Sequence, residues 1–256
     1  MTTPVHTAPA PALPALRSRL PLLAVLAVLA ALGPARAAEP PAVAAAPPSA
    51  PPSATPTPGD DRVIRIDARA FQYVKDESGP VNYYTVVEDP EGAYIHGAYA
   101  PPAETAVLGW AVPEKLRHAV SRVRWRWRAI TLPLGGNECV SGKNDSAGVV
   151  YLTFKRGWSW YSLKYVWSGV GPRGVTCDKR RNVLSAQDTI IMESGGPLAR
   201  WRTVELDLDA EFRRHFEKEH RSEERPEFMG IGIMSDGDQT HSPSAADFGG
   251  FVVTLR

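Results

Sequence analysis

The chain predicts an antiparallel two-sheet β-sandwich of the jelly-roll kind, with one or two short helices. Three observations carry that prediction. Past residue 60 the apolar residues recur mostly with a period of two. The segments showing it are short, rich in β-branched and aromatic residues, and separated by Gly, Pro, Asn and Asp clusters. Helical patterns are confined to two brief stretches, so the strands must cover one another.

The predicted strands are 62–66, 71–74, 81–87, 105–112, 122–128, 149–154, 159–167, 188–192, 204–208, 228–234 and 248–255. One helix is expected at 113–120, where Pro113 suits a first turn. A second starts at Asp209 as N-cap and sets Phe212 and Phe216 on one face.

Domain organisation follows from proline and aromatic placement. Fourteen of the 24 prolines lie before residue 60, whereas the first aromatic is Phe71. A proline-dense segment with no aromatic residue cannot build a core. Residues 60–256 are therefore the folding unit, long enough to fold as one domain without staples.

Arg17 and Arg19 precede the 13-residue apolar run 20–32, and Ala35-Arg36-Ala37 follows. That is the pattern of a secretory signal peptide, residues 1–37, cleaved after Ala37. The run is too short to span a bilayer, so no transmembrane anchor is expected in the mature form. Residues 38–59 read as an extended Pro/Ala/Ser linker. The expected location is the periplasm or the exterior. Cleavage removes three arginines and no acid, turning a formal net charge of +1 into −2. Such a balance gives no basis for nucleic-acid binding. Cys139 and Cys177, the two cysteines, are expected to form a disulfide in an oxidising compartment, worth roughly 4 kcal/mol.

In SRVRWRWRA, Val123, Trp125 and Trp127 point to one side and Arg122, Arg124, Arg126 and Arg128 to the other. Four arginines on one strand face repel unless neighbours neutralise them. VELDLD offers Glu205, Asp207 and Asp209 in complementary alternation, so adjacency of that strand would make the ladder purely structural. The functional reading continues the face onto two further strands. There Tyr151, Thr153 and Lys155, then Trp158, Trp160, Ser162 and Lys164, point away from the core. Arg124, Arg126, Tyr151, Trp158, Trp160 and Lys164 would then form a platform for an anionic glycan, with rings to stack on sugars and guanidinium groups to pair with acids.

Asp236, Asp238 and Asp247 cluster around SDGDQTHSPSAAD and form a candidate structural Ca²⁺ site, although a self-capped turn explains the same composition. No other cofactor is expected. His215 and His220 sit among charged residues and read as solvated. HExxH, GxSxG, P-loop and dinucleotide motifs are missing. A glycosidase needs only two carboxylates that meet in space, and Glu88, Asp89 and Asp145 are candidates. The Tyr83-Tyr84 pair is a candidate lyase base, though better read as strand aromatics.

VRWRWRAITLP, NDSAGVVYLTF, KYVW, GIGIMSDGDQT and AADFGGFVV, in that order over residues 62–255, resemble a bacterial family catalogued as domain of unknown function 3047. The family usually has an acidic pair where Asn144-Asp145 stands here, an arginine at Val149 and an acid at Gly250. The last-strand pattern also resembles galactose-binding-like jelly rolls, which implies a sandwich with ligands on a sheet face or loop rim. The expected function is an exported protein that binds an anionic or envelope carbohydrate. The alternatives are a periplasmic polysaccharide hydrolase or lyase, and a structural envelope protein acting through protein contacts.

Overall fold

The computed structural model describes residues 62–74, 83–217 and 226–256. The predicted signal peptide and linker lie outside the described residues. Thirteen strands are described: β1 (Val63–Arg65), β2 (Gln72–Tyr73), β3 (Tyr84–Val87), β4 (Tyr94–Tyr99), β5 (Leu108–Ala111), β6 (Val120–Thr131), β7 (Ser146–Arg156), β8 (Ser159–Ser168), β9 (Thr176–Arg181), β10 (Ser185–Ser194), β11 (Arg202–Asp207), β12 (Glu227–Met234) and β13 (Ser244–Leu255). They form two facing sheets, a sandwich as predicted. The first runs β11-β6-β13-β4-β3, with β1 also paired to β13, and the second runs β2-β5-β12-β7-β8-β10-β9.

One pairing departs from an all-antiparallel arrangement: β8 and β10 are parallel. The β9–β10 hairpin folds so that β10, not β9, lies against β8. The sequences explain the choice. β10 carries Ile190 and Ile191, buried on opposite faces, whereas TCDKRR of β9 is charged and suits a sheet edge.

The core lies between the sheets. Trp125 and Trp127 of β6 are fully buried and meet Tyr165 and Trp167 of β8 at ring-centroid distances of 6.1 and 5.7 Å. Burying each indole contributes roughly 4–6 kcal/mol by area. Val150, Leu152 and Phe154 of β7 and Leu163 of β8 fill the same layer, so the predicted phasing of both strands holds.

Helix α1 (Leu208–Phe216) closes one end. Its N-cap is Asp207, two residues before the expected Asp209, and its carboxylate accepts from the backbone N–H groups of Asp209 and Ala210. Phe212 and Phe216 do share a face, packing on Tyr161 at 5.0 and 5.2 Å. The helix predicted at 113–120 is reduced to a 3₁₀ turn, Glu114–Leu116. Cys139 and Cys177 form the expected disulfide.

Candidate functional site

The six predicted platform residues do not share a sheet. β6 belongs to the first sheet, while β7 and β8 belong to the second. Their side chains face away from the core as phased, but Arg124 and Arg126 therefore look out from one side of the sandwich and Tyr151, Trp160 and Lys164 from the other. The β6–β7 connection carries the chain across the core, and alternation along a strand is blind to that step.

On the first sheet the acidic strand is adjacent, as the complementary alternation suggested. β11 pairs with β6, setting Glu205 opposite Arg124 and Asp207 opposite Arg122. Neutralisation is nevertheless assembled from three places. Glu205 pairs with Arg122 at 3.3 Å. Glu91 and Asp89, from the β3–β4 turn, hold Arg126. Asp247 of β13 accepts from Arg128 Nε at 2.6 Å. Arg126 and Arg128 also lie over the Trp201 ring at 4.4 and 4.5 Å, a favourable cation–π arrangement.

The outer face of the second sheet is built in rows by strand register. Nearest the β7–β8 turn, Lys155, Trp160 and Ser185 stand side by side, then Thr153, Ser162, Gln187 and Arg180, then Tyr151, Lys164, Thr189 and Asp178. Beyond them Val149, Val166, Ile191 and Met234 make a small apolar cluster. The β7–β8 turn needs only Gly157 and Trp158, with Gly157 at φ 56°, a value that favours glycine. That tight turn leaves Trp158 at the tip, 88% exposed. Lys155 Nζ lies 5.5 Å from the Trp160 ring.

The middle row is unusual. Thr153, Ser162 and Gln187 are each more than nine-tenths buried. Ser162 Oγ and Gln187 Oε1, neighbours in register, have no hydrogen-bond partner among the described residues. Buried polar atoms left unpaired cost about 1–3 kcal/mol each.

Lys164 is not a free cation. Glu138, from the loop before β7, accepts from its ammonium at 3.0 and 3.1 Å and also from Ser146 Oγ at 2.8 Å. Burial, the largest single influence, lowers the Lys164 pKa, but Glu138, Tyr151 and Asp236 together outweigh it and the net shift is upward. Burial pushes the Tyr151 phenol up to about 12. Both residues thus act as a fixed wall rather than as charged ligand contacts. Glu138 was missed in sequence because its partner lies 26 positions away.

At the far end of this face stand Asp145, Asp236 and Asp238, with carboxylate oxygens within 4.8 Å of one another. Asp247, the expected third member, is absent from the cluster. It sits on the first sheet, bound to Arg128 and to His96 Nδ1 at 2.6 Å. Asp145, read from sequence as a catalytic candidate, takes its place, and it accepts from the Thr240 N–H and hydroxyl at 2.7 and 2.6 Å. Burial, with Asp238, Asp145 and Glu138 nearby, drives the Asp236 carboxyl well above its ordinary range despite Lys164. These three residues have the oxygens to hold a hard cation, and proton uptake by Asp236 relieves the same repulsion another way.

The remaining candidates disperse. Glu88 pairs with Arg69 and Asp89 with Arg126, both away from Asp145. Burial pushes Tyr83 up to about 12 and Tyr84 well above its usual value, and both phenols donate to the Ala106 carbonyl. They are structural aromatics and poor bases. His215 is buried rather than solvated, with Nδ1 2.8 Å from Asp188 Oδ2. His220 lies outside the described residues.

The family model for the protein of unknown function (DUF3047) matches residues 73–252. The chain belongs to that family. No curated protein matches the chain. Among solved structures, the DUF3047 chain is similar to the xyloglucanase domain of NopAA, a type three effector from Sinorhizobium fredii. The TM-score is 0.39 at 10% identity, over 75% of this chain and 96% of that one. It is similar to the family 11 carbohydrate-binding module of the cellulase Lic26A-Cel5E of Clostridium thermocellum, with TM-score 0.32 at 9% identity, over 73% and 95%. It is also similar to endoglucanase 3, family GH12, of Trichoderma harzianum, with TM-score 0.37 at 11% identity, over 73% and 98%.

Proposed function

We propose that this DUF3047 protein is an exported carbohydrate-binding protein whose ligand lies on the outer face of the second sheet. One juxtaposition carries the reading: the buried oxygens of Ser162 and Gln187, unpartnered among the described residues, lie beside Trp160, which belongs to the hairpin whose tip exposes Trp158. Flat aromatic rings stack on sugar rings, and recessed hydroxyl and amide groups exchange hydrogen bonds with sugar hydroxyls. Glu138 and Lys164, neutral as a pair, form the far wall. Export is supported by the signal-peptide pattern of residues 1–37 and by the disulfide, which fits an oxidising compartment.

The test is retention on immobilised polysaccharides for wild type, Trp158→Ala, Trp160→Ala and Gln187→Ala. Retention should fall in all three variants while their unfolding midpoints stay near wild type. Undiminished retention in Trp160→Ala and Gln187→Ala would refute this face. Mass spectrometry of the periplasmic or culture-fluid protein should find Ala38 as the first residue.

Hydrolysis is a second reading, favoured by Asp236, a buried acid whose carboxyl is pushed well above its ordinary range beside Asp145 and Asp238. Release of reducing ends, abolished in Asp236→Asn, would place catalysis above binding.

A further inference from the structure

The opposite face of the sandwich carries a second concavity, and arginines line it. A cavity of about 560 Å³ opens on the outer face of the first sheet, lined by β1, the β3–β4 turn, β6, β11 and β13. Its shape comes from β13. The first part of that strand pairs with β4, the last part with β1, and the ladder to β6 slips between Gly249 and Val252 where the two neighbours meet. Gly250 sits in the slip at φ 61°. A Cβ there would lie 3.2 Å from Arg126 Cγ, so glycine keeps the wall of the cavity clear.

Register sets two arginines across its floor. Arg65 of β1 pairs with Val252 of β13, and Val252 pairs with Arg124 of β6. Val252 is 6% exposed yet lies outside the inter-sheet core, so it is the apolar base between them. With strands about 4.8 Å apart, the two arginine Cα atoms are roughly 10 Å apart, close enough for both guanidinium groups to reach one ligand.

The cavity's acids are already occupied. Asp67 accepts from the backbone and side chain of Arg69, and Glu91 is held by Arg126. Glu205, opposite Arg124 in register, pairs with Arg122 instead. Arg65 and Arg124 therefore make no ion pair among the described residues, a net positive pair in a concave, partly apolar pocket.

We propose that this pocket binds a small oxyanion-bearing molecule of about monosaccharide size, with Arg65 and Arg124 as the two clamps and Arg126 as a fixed wall. Guanidinium groups suit carboxylate and phosphate alike, so the shared chemistry is a sugar acid or a sugar phosphate.

The experiment is calorimetric titration of the folded protein with glucuronate, with glucose 6-phosphate and with glucose. One or both acids should bind in a salt-sensitive manner, and glucose should not; the stronger of the two identifies the oxyanion. Arg124→Ala and Arg65→Ala should each weaken binding about tenfold or more, the loss of a charge-assisted hydrogen bond. Thr203→Glu, which adds a carboxylate at an exposed position on the rim, should do the same without touching the core. Trp160→Ala, on the other face, should bind the acids normally, so this site and the proposed polysaccharide face can fail separately. Equal binding of glucose and the acids, or undiminished binding in Arg124→Ala and Thr203→Glu, would overturn the assignment.

Discussion

Among the described residues the Glu138–Lys164 pair is the most heavily buried ion pair on the proposed ligand face, and it permits a quantitative test. Its side chains are 2% and 7% exposed. Lys164→Met strands a buried carboxylate whose remaining described partner is Ser146. Removing one member of such a pair costs about 3–5 kcal/mol. Glu138→Gln should cost less, because Asp236 lies within electrostatic reach of Lys164 and can give up its proton to balance the ammonium. Glu138→Leu with Lys164→Met removes both charges and should return close to wild type. Urea unfolding reads this as midpoint shifts of roughly 1–2 M for Lys164→Met, less for Glu138→Gln and little for the double variant. Two single variants within about 1 kcal/mol of wild type, or a double variant as unstable as their sum, would refute the reasoning.

Reducing the Cys139–Cys177 bond, 38 residues apart, should lower stability by about 4 kcal/mol, measured as the urea midpoint with and without reductant. Asp188 is raised by burial but lowered more by His215 and Arg181, leaving it below 3.8. Its contribution is therefore present above that value and lost as pH falls through the folded pKa. An acid titration of Asp188→Asn should show a deficit at neutral pH that narrows below about pH 4. Asp236 shifts the other way, so the native state holds an extra proton and loses stability as pH rises from 3.8 through the folded pKa. Asp236→Asn keeps an acceptor for Thr105 and should be more stable than wild type at neutral pH, by a margin that vanishes in acid.

Much of the fold was legible because a strand with one buried face writes its period into its composition. RWRWR in β6, VVYLTF in β7 and YSLKYVW in β8 each showed which residues pack inward, and the buried tryptophans, Tyr165 and Phe154 follow that phase. The strands overlooked were those whose composition hides the period. In β4, YIHGAY, a histidine and a glycine interrupt the alternation, and Gly97 is required because a Cβ there would lie 2.7 Å from the Tyr84 ring. In β9, TCDKRR, an edge position asks for charge rather than burial. The cap of α1 was misplaced by two residues because Asp207 continues the alternation of β11 while its carboxylate already serves the helix.

The site was less legible for a different reason. Alternation assigns a residue to a face of its own sheet, and it is silent on which sheet that is. Arg126 and Tyr151 were both correctly phased outward, yet the chain crosses the core between them, so one platform became two separate surfaces. Long-range partners are equally invisible: Lys164 reads as a free cation until Glu138 folds over it, and His215 reads as solvated until Asp188 of β10 lies beneath it. The arginine ladder is the instructive case. Repulsion along β6 predicts that acids must come from somewhere, and Glu205, Glu91 and Asp247 come from three different elements. Each acid is committed to a different arginine, and none of them to Arg124. The residue that local charge balance leaves over lines the cavity beside Arg126, and Arg65, brought next to it by strand pairing and likewise unpaired among the described residues, adds a second positive charge there. Asp89, the fourth acid near the ladder, joins Glu91 on Arg126 and leaves Arg124 without an ion pair among the described residues.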